Sequence, residues 1–166
     1  MIRYIKLYKW ANRTEGRRRA LKIVDLFAVV LVVLAYAGFL TYLLIKEGIE
    51  PCVRAVVFAA LPFGLFSYFR KGLNAKRPYE DMDFEALGFP IPSKKVGSSF
   101  PSRHVFSAAL IGTMMLTRLP IVGVLALLVA ALLAWVRVVR GIHYMRDVTV
   151  GALVGVLAGA IALFLM

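Results

Sequence analysis

Residues 101–147 read PSRHVFSAALIGTMMLTRLPIVGVLALLVAALLAWVRVVRGIHYMRD. Two apolar runs, 102–117 and 119–136, are joined by the tight turn Arg118-Leu119-Pro120. Polar residues gather at their outer ends. Pro101-Ser102-Arg103-His104 opens the first run, and Arg137, His143 and Asp147 follow the second. Upstream, Arg70, Arg77 and Pro78 close another apolar stretch. An isolated charge in hydrocarbon costs at least about 2.5–3.5 kcal/mol, so such residues must face a cavity or one another. Grouped at one end of a bundle, they describe a pocket for a phosphate, with two histidines to act on it.

Composition agrees with a membrane setting. Hydrophobic residues make up 61% of 166, and mean hydropathy is +0.79. That leaves too little polar surface to clothe a soluble globule. The length fits a single domain, 1–166. Net charge is +12, from 21 basic and 9 acidic residues. In a soluble chain this would suggest nucleic acid. Here acidic lipid headgroups or a phosphorylated substrate are the expected partners, and nucleic acid is not. The single Cys52 excludes an intrachain disulfide and a cysteine-built metal site, and is read as filling space near a helix start.

Outward from the opening stretch, the pattern predicts an all-α membrane bundle of about five spans: 24–45, 55–69 with a kink at Pro62-Phe63-Gly64, 102–117, 119–136 and 148–166. The polar start of the third span places its first turn in a cavity. The first span is too long for a signal-peptide core and no small-residue cleavage site follows it, so no cleavable signal is expected. In 1–22, Ile2, Ile5, Tyr8 and Trp10 alternate with Arg3, Lys6, Lys9 and Arg13, which reads as a basic amphipathic helix on the membrane surface. The alternative is a plain positive flank that orients the first span. Segment 71–101 is the long polar loop, read as a cap over the pocket. Its acids Glu80, Asp81, Asp83 and Glu85 have no histidine nearby and read as solvent-facing, so no metal is expected. Gly151, Gly155 and Gly159 form a small-residue stripe, either packed inside the monomer or available as a homodimer seam.

His143 and Asp147 are four apart and share a helix face. A carboxylate beside an imidazole fixes its tautomer and stabilises the imidazolium that forms when the other nitrogen attacks. Alone, such a pair is more often structural; Arg137, six residues before, strengthens the catalytic reading. Pro101-Ser102 reads as an N-cap, whose free amides attract an anion. His104 sits in that first turn.

Together these residues resemble the type 2 phosphatidic acid phosphatase superfamily. Its signature is Lys, six residues, Arg-Pro; then Pro-Ser-Gly-His; then Ser-Arg, five residues, His, three residues, Asp. This chain has Arg70, six residues, Arg77-Pro78; Pro101-Ser102-Arg103-His104; and Val136-Arg137, five residues, His143, three residues, Asp147. Three positions depart. Arg70 stands for the lysine, with Lys71 beside it able to share the role. Arg103 stands for glycine, adding a cation near the phosphate. Val136 stands for serine, removing a hydroxyl.

The resemblance implies a metal-free phosphatase without cofactors. Arg70 or Lys71, Arg77, Arg103 and Arg137 would grip the phosphate with Ser102. His143 would attack phosphorus, Asp147 would orient it, and His104 would serve as acid and then base. The implied substrate is a lipid phosphate: phosphatidylglycerol phosphate, phosphatidic acid, or a polyprenyl phosphate or diphosphate. A non-catalytic scaffold or small transporter subunit of the same fold is the alternative, against which intact His104, His143 and Asp147 argue. The expected location is a bacterial or archaeal cell membrane. With five spans, the site lies on the side of the basic N-terminal segment, which the positive-inside rule makes cytoplasmic, whereas many members of the resembled family work on the outer face.

Overall fold

The computed structural model describes residues 2–165, with side chains from 4 to 165. Met166, the expected end of the last span, and the Ile2 and Arg3 side chains of the expected amphipathic helix lie outside that description. Among the described residues all regular structure is helical: α1 (Ile2–Asn12), α2 (Glu15–Lys46), α3 (Ile49–Leu73), α4 (Pro78–Asp81), α5 (Arg103–Met115), α6 (Pro120–Val139) and α7 (Met145–Leu165).

Among the described residues, four helices are long and apolar enough to cross a membrane: α2, α3, α6 and α7. Their outward faces carry bare apolar side chains, among them Leu65, Leu157, Ile161 and Phe164, as hydrocarbon contact requires. The helical part of the expected third span is short. α5 has 13 residues, about 20 Å of helix against about 30 Å of hydrocarbon. It lies in the middle of the bundle, packed along α7 and α6. Phe106, Leu110, Met114 and Met115 from α5 meet Phe39, Leu43 and Phe66 to form the main core. The Phe66 and Phe106 rings stack at 4.0 Å. α6 opens at Pro120 directly after the predicted turn, where a proline costs no helical hydrogen bond. α3 runs through Pro62 as one helix.

The N-terminal helix is shorter than expected. It ends at Asn12, and Thr14 caps α2 by accepting from the Arg17 amide at 3.3 Å. Residues 15–22 therefore belong to the first long helix. α1 spends part of its apolar face on protein: Tyr8 and Ala11 are buried, while Leu7 and Trp10 stay exposed. Tyr8 stacks on Phe84 at 4.2 Å and meets Phe89 edge-on. With Tyr79 these rings form a small second core that holds 78–90 against the bundle end.

The glycine stripe is occupied. A Cβ on Gly151 would stand 2.6 Å from the Ser102 carbonyl oxygen, on Gly155 2.4 Å from the Phe106 carbonyl oxygen, and on Gly159 2.6 Å from Thr113 Cβ. α5 fills this seam inside the monomer, as the first of the two readings has it, so the alternative homodimer seam through these glycines has no surface here. Gly155→Val should lower the thermal stability of the detergent-solubilised protein by about 1–3 kcal/mol or more. Gly38→Ala, where no atom lies within 4 Å, should not. Equal melting of both variants would contradict the packing.

Candidate active site

A cavity of about 520 Å³ opens where α3 ends, α5 begins and α6 passes into α7. Seven cationic side chains line it: Arg70, Lys71, Arg77, Lys95, Arg103, Arg137 and Arg140. His104 and His143 share the wall, and Asp25 is the one carboxylate on it. Lys71 sits at the exposed rim, while Arg70, Arg77 and Arg137 are buried. Such a concentration of positive charge in an apolar bundle suits a polyanion such as a phosphate group.

Loop carbonyls aim two of these arginines. Arg70, in the last turn of α3, donates to the Ser98 carbonyl. Arg77 donates from Nε to the Gly97 carbonyl at 3.0 Å and from Nη1 to the Ile142 carbonyl at 3.4 Å. The loop is stapled in turn by Glu80, whose carboxylate accepts from the Gly97 amide at 2.9 Å and the Arg77 amide at 2.8 Å. Asn74 ends α3 in the left-handed region, and its side chain accepts from the Ser98 amide at 3.2 Å. The expected solvent-facing acids are thus partly structural. Asp81 accepts from the Tyr144 hydroxyl at 2.6 Å, and Asp83 accepts from the Ala86 amide at 3.2 Å. Among the described residues no cluster of His, Cys, Asp and Glu could hold a metal ion.

Asp25 holds two more. Arg137 Nε lies 3.0 Å from Asp25 Oδ1, and Arg140 pairs with Oδ2. Arg137 Nη1 is also 3.1 Å from His104 Nδ1. A guanidinium only donates, so Nδ1 must carry the lone pair, and the proton of neutral His104 sits on Nε2.

The second imidazole has the opposite tautomer. Ser99 Oγ donates to Asp147 Oδ2 at 2.6 Å. Its only hydrogen is thereby committed, so it faces His143 Nδ1, 3.4 Å away, with a lone pair. Asp147 Oδ2 is 3.5 Å from the same nitrogen. Both neighbours are acceptors, so His143 carries its proton on Nδ1 and presents a bare Nε2. The Tyr144 amide donates to Asp147 at 2.9 Å. Tyr4 of α1 donates to the His143 carbonyl at 3.0 Å, tying the N-terminal helix to this loop. Burial, and then the Arg77 and Arg137 cations, lower the His143 pKa to about 4, against the opposing pull of Asp147. At neutral pH the ring is uncharged.

Two expected site residues do not line the cavity wall: Asp147, which stands behind His143, and Ser102. Ser102 stands at the N-cap position of α5 without a side-chain capping bond. It is fully buried, with its hydroxyl unpartnered, and its amide is not free, because it donates to the Asp147 carbonyl at 2.9 Å. Ser99 and Asp25 were missed from sequence. Ser99 is one serine in a Gly/Ser loop and has no periodic signal. Asp25 could have been found, being the one acid inside an apolar stretch, which must have a partner.

The fold and the site thus define a membrane-embedded helical bundle with a cationic cavity and two oppositely protonated histidines. The family model described as PAP2 superfamily matches residues 26–166, and the chain belongs to that superfamily. The crystal structure of Aquifex aeolicus LpxE superposes with a TM-score of 0.64 at 23% identity, over 96% of this chain and 94% of that one. The crystal structure of the first transmembrane PAP2 type phosphatidylglycerolphosphate phosphatase from Bacillus subtilis gives 0.50 at 21% identity, over 97% and 90%. At these identities the likeness concerns the fold. No curated protein sequence matches the chain significantly.

The histidine reading has a direct check. A lowered pKa means the charged form is disfavoured, so the ring stays neutral as pH falls until near 4. Imidazole NMR of the protein in detergent should show His143 neutral at about pH 5, where an ordinary imidazole is almost fully protonated. Titration near the ordinary value would contradict this environment.

Proposed function

We propose that this membrane lipid phosphatase hydrolyses its substrate through a phosphohistidine on His143. The observation that carries the reading is the pair of opposed tautomers on one cationic cavity: a bare nitrogen on His143 and an N–H on His104. The Nε2 lone pair of His143 attacks phosphorus. The P–O bond breaks, and its electron pair goes to the leaving oxygen, which takes the Nε2 proton of His104, leaving an imidazolate paired at Nδ1 with the Arg137 guanidinium. Asp147 and Ser99 stabilise the imidazolium through Nδ1–H. His104, now a base, takes a proton from water as the water oxygen attacks phosphorus. The N–P bond breaks back onto His143 and phosphate leaves. Each well-placed acid or base contributes roughly 10²–10⁴-fold. Arg70, Arg77 and Arg137 stabilise the charge on the equatorial oxygens, which supports metal-independent turnover.

A lipid substrate is supported by a second feature. An apolar groove of about 290 Å³ begins at Arg103 and His104 and runs between Val29, Val32 and Val33 of α2 and Phe63 of α3. It continues into a further apolar pocket of about 260 Å³ that shares Phe63, Ser107 and Ile111. A hydrocarbon tail fits here while its phosphate occupies the cavity. Phosphatidylglycerol phosphate, phosphatidic acid and polyprenyl phosphates or diphosphates all meet this description.

His143→Ala should abolish phosphate release from such lipids in excess EDTA while leaving the melting temperature near wild type. Rapid quench of the wild type with labelled substrate should trap an acid-labile, base-stable label on His143. Full turnover by the variant would sink the mechanism, and dependence on added Mg²⁺ would sink its metal independence.

We also propose that the site faces the cytoplasm. α1 packs on the cap beside His143, so the basic N-terminal segment and the cavity share one end. Lys6, Lys9, Arg13, Arg17, Arg18, Arg19 and Lys22 lie there, which the positive-inside rule assigns to the cytoplasm. With Cys52 replaced by serine, a cysteine at Glu50 in the first turn of α3 should react with an impermeant thiol reagent on intact cells. A cysteine at Lys94 should react only after permeabilisation. The reverse pattern would place the site outside.

A further inference from the structure

Arg103 occupies the neck between the two compartments. It and His104 line both the cationic cavity and the apolar groove. Among the described residues, the other cavity arginines are engaged by carbonyls or by Asp25. The Arg103 guanidinium has no hydrogen bond or ion pair there; its contact is the Phe63 ring, 5.6 Å from Cζ to the centroid. Stacking uses one face of the guanidinium and leaves its in-plane N–H donors open.

The direction of the reaction assigns what those donors meet. On the lipid phosphatase reading above, the tail lies in the groove and the reacting phosphorus lies beside His143. The scissile bond therefore points through the neck, where His104 protonates the leaving oxygen. The next atom towards the tail passes Arg103. In a phosphomonoester that atom is carbon, and an unpaired guanidinium gains nothing beside it. In a diphosphate it is a second phosphorus with anionic oxygens, which a guanidinium can pair bidentately.

We propose that Arg103 is a specificity-determining residue that selects a lipid diphosphate over the corresponding monophosphate, by pairing with the phosphate that departs on the lipid. In the step, His143 Nε2 bonds to the terminal phosphorus and the bond from that phosphorus to the bridging oxygen breaks. The bridging oxygen keeps the electron pair and takes the His104 proton. The products are a lipid monophosphate and phosphohistidine, which water then hydrolyses to inorganic phosphate. Seven cations facing one carboxylate on the wall suit the larger charge of a diphosphate better than a single phosphate dianion.

The test compares the purified full chain on a polyprenyl diphosphate and a polyprenyl monophosphate of equal chain length in the same detergent. The wild-type kcat/KM ratio should favour the diphosphate by roughly tenfold or more, the scale of one charge-assisted contact. Arg103→Gln should bring the ratio near one. Arg103→Lys, which keeps charge without the planar fork, should retain part of the preference. Equal activity of the wild type on both lipids overturns the proposal alone, as does equal proportional loss on both in Arg103→Gln. Should Arg103→Gln fail to fold, the wild-type ratio and Arg103→Lys still decide it. Release from phosphatidylglycerol phosphate or phosphatidic acid but from neither polyprenyl lipid overturns this proposal alone, and no release from any of the four by the folded wild type overturns it and the phosphatase reading together.

Discussion

The close approach of α5 to α7 is the constraint on which the site depends. His104 stands on one helix and Asp147 on the other, and the Ser102 amide joins the two backbones by donating to the Asp147 carbonyl at 2.9 Å. Such an approach is possible because Gly151, Gly155 and Gly159 present no side chain to the Ser102, Phe106 and Leu110 carbonyls. Lipid tails are as apolar as leucine, so burial alone does not hold membrane helices together; close van der Waals packing must do it. The glycines provide that packing and set the register that puts the α5 N-terminus beside the α6–α7 connection. α5 can then be short. Its first turn holds His104 at the depth of the cavity, and the residues after it carry the chain to the far end of the bundle, where Arg118 lies 3.5 Å from Glu47.

Charge is the second constraint. Burying several arginines near one another is costly unless each finds a partner. The molecule divides that task. Loop carbonyls take Arg70 and Arg77, and Asp25 takes Arg137 and Arg140. One consequence reaches the chemistry. Because Asp25 fixes Arg137, Arg137 is placed to donate to His104 Nδ1, and this puts the imidazole proton on the nitrogen that an acid needs. At the other histidine the same logic runs through acceptors, Ser99 and Asp147, and gives the tautomer that a nucleophile needs. Two identical side chains take opposite protonation patterns because one faces a donor and the other faces acceptors.

The sequence was legible where its signals are periodic or regularly spaced. The apolar runs gave the long helices, and the spacing of Arg70, Arg77, His104, Arg137, His143 and Asp147 gave the residues now found in or directly behind one cavity. It was poorly legible where a residue acts through tertiary contacts. Ser99, Gly97 and Ser98 hold their partners through hydrogen bonds across a loop of irregular backbone, which leaves no pattern along the chain. Ser102 satisfied an N-cap rule in position but not in bonding, because α7 claimed its amide and shielded its hydroxyl. The N-terminal segment was amphipathic as read, yet Tyr8 and Ala11 found protein to bury against; periodicity reports that a face is apolar and does not say what covers it.

That last point bears on how the loop is held over the cavity. The long polar loop has little core of its own. Its order comes from the Tyr8, Tyr79, Phe84 and Phe89 cluster and from the Glu80 carboxylate, which bonds both Gly97 and Arg77. The same loop supplies the carbonyls that aim Arg70 and Arg77 and the hydroxyl that fixes His143. The N-terminal helix therefore acts on the chemistry at one remove. It packs the cap, and through Tyr4 it holds the carbonyl of His143 itself. Burial pushes the Tyr4 hydroxyl pKa up to about 12, so it stays a donor across the whole physiological range. A segment whose composition reads as a membrane-surface flank is thus a structural part of the cavity end of the bundle.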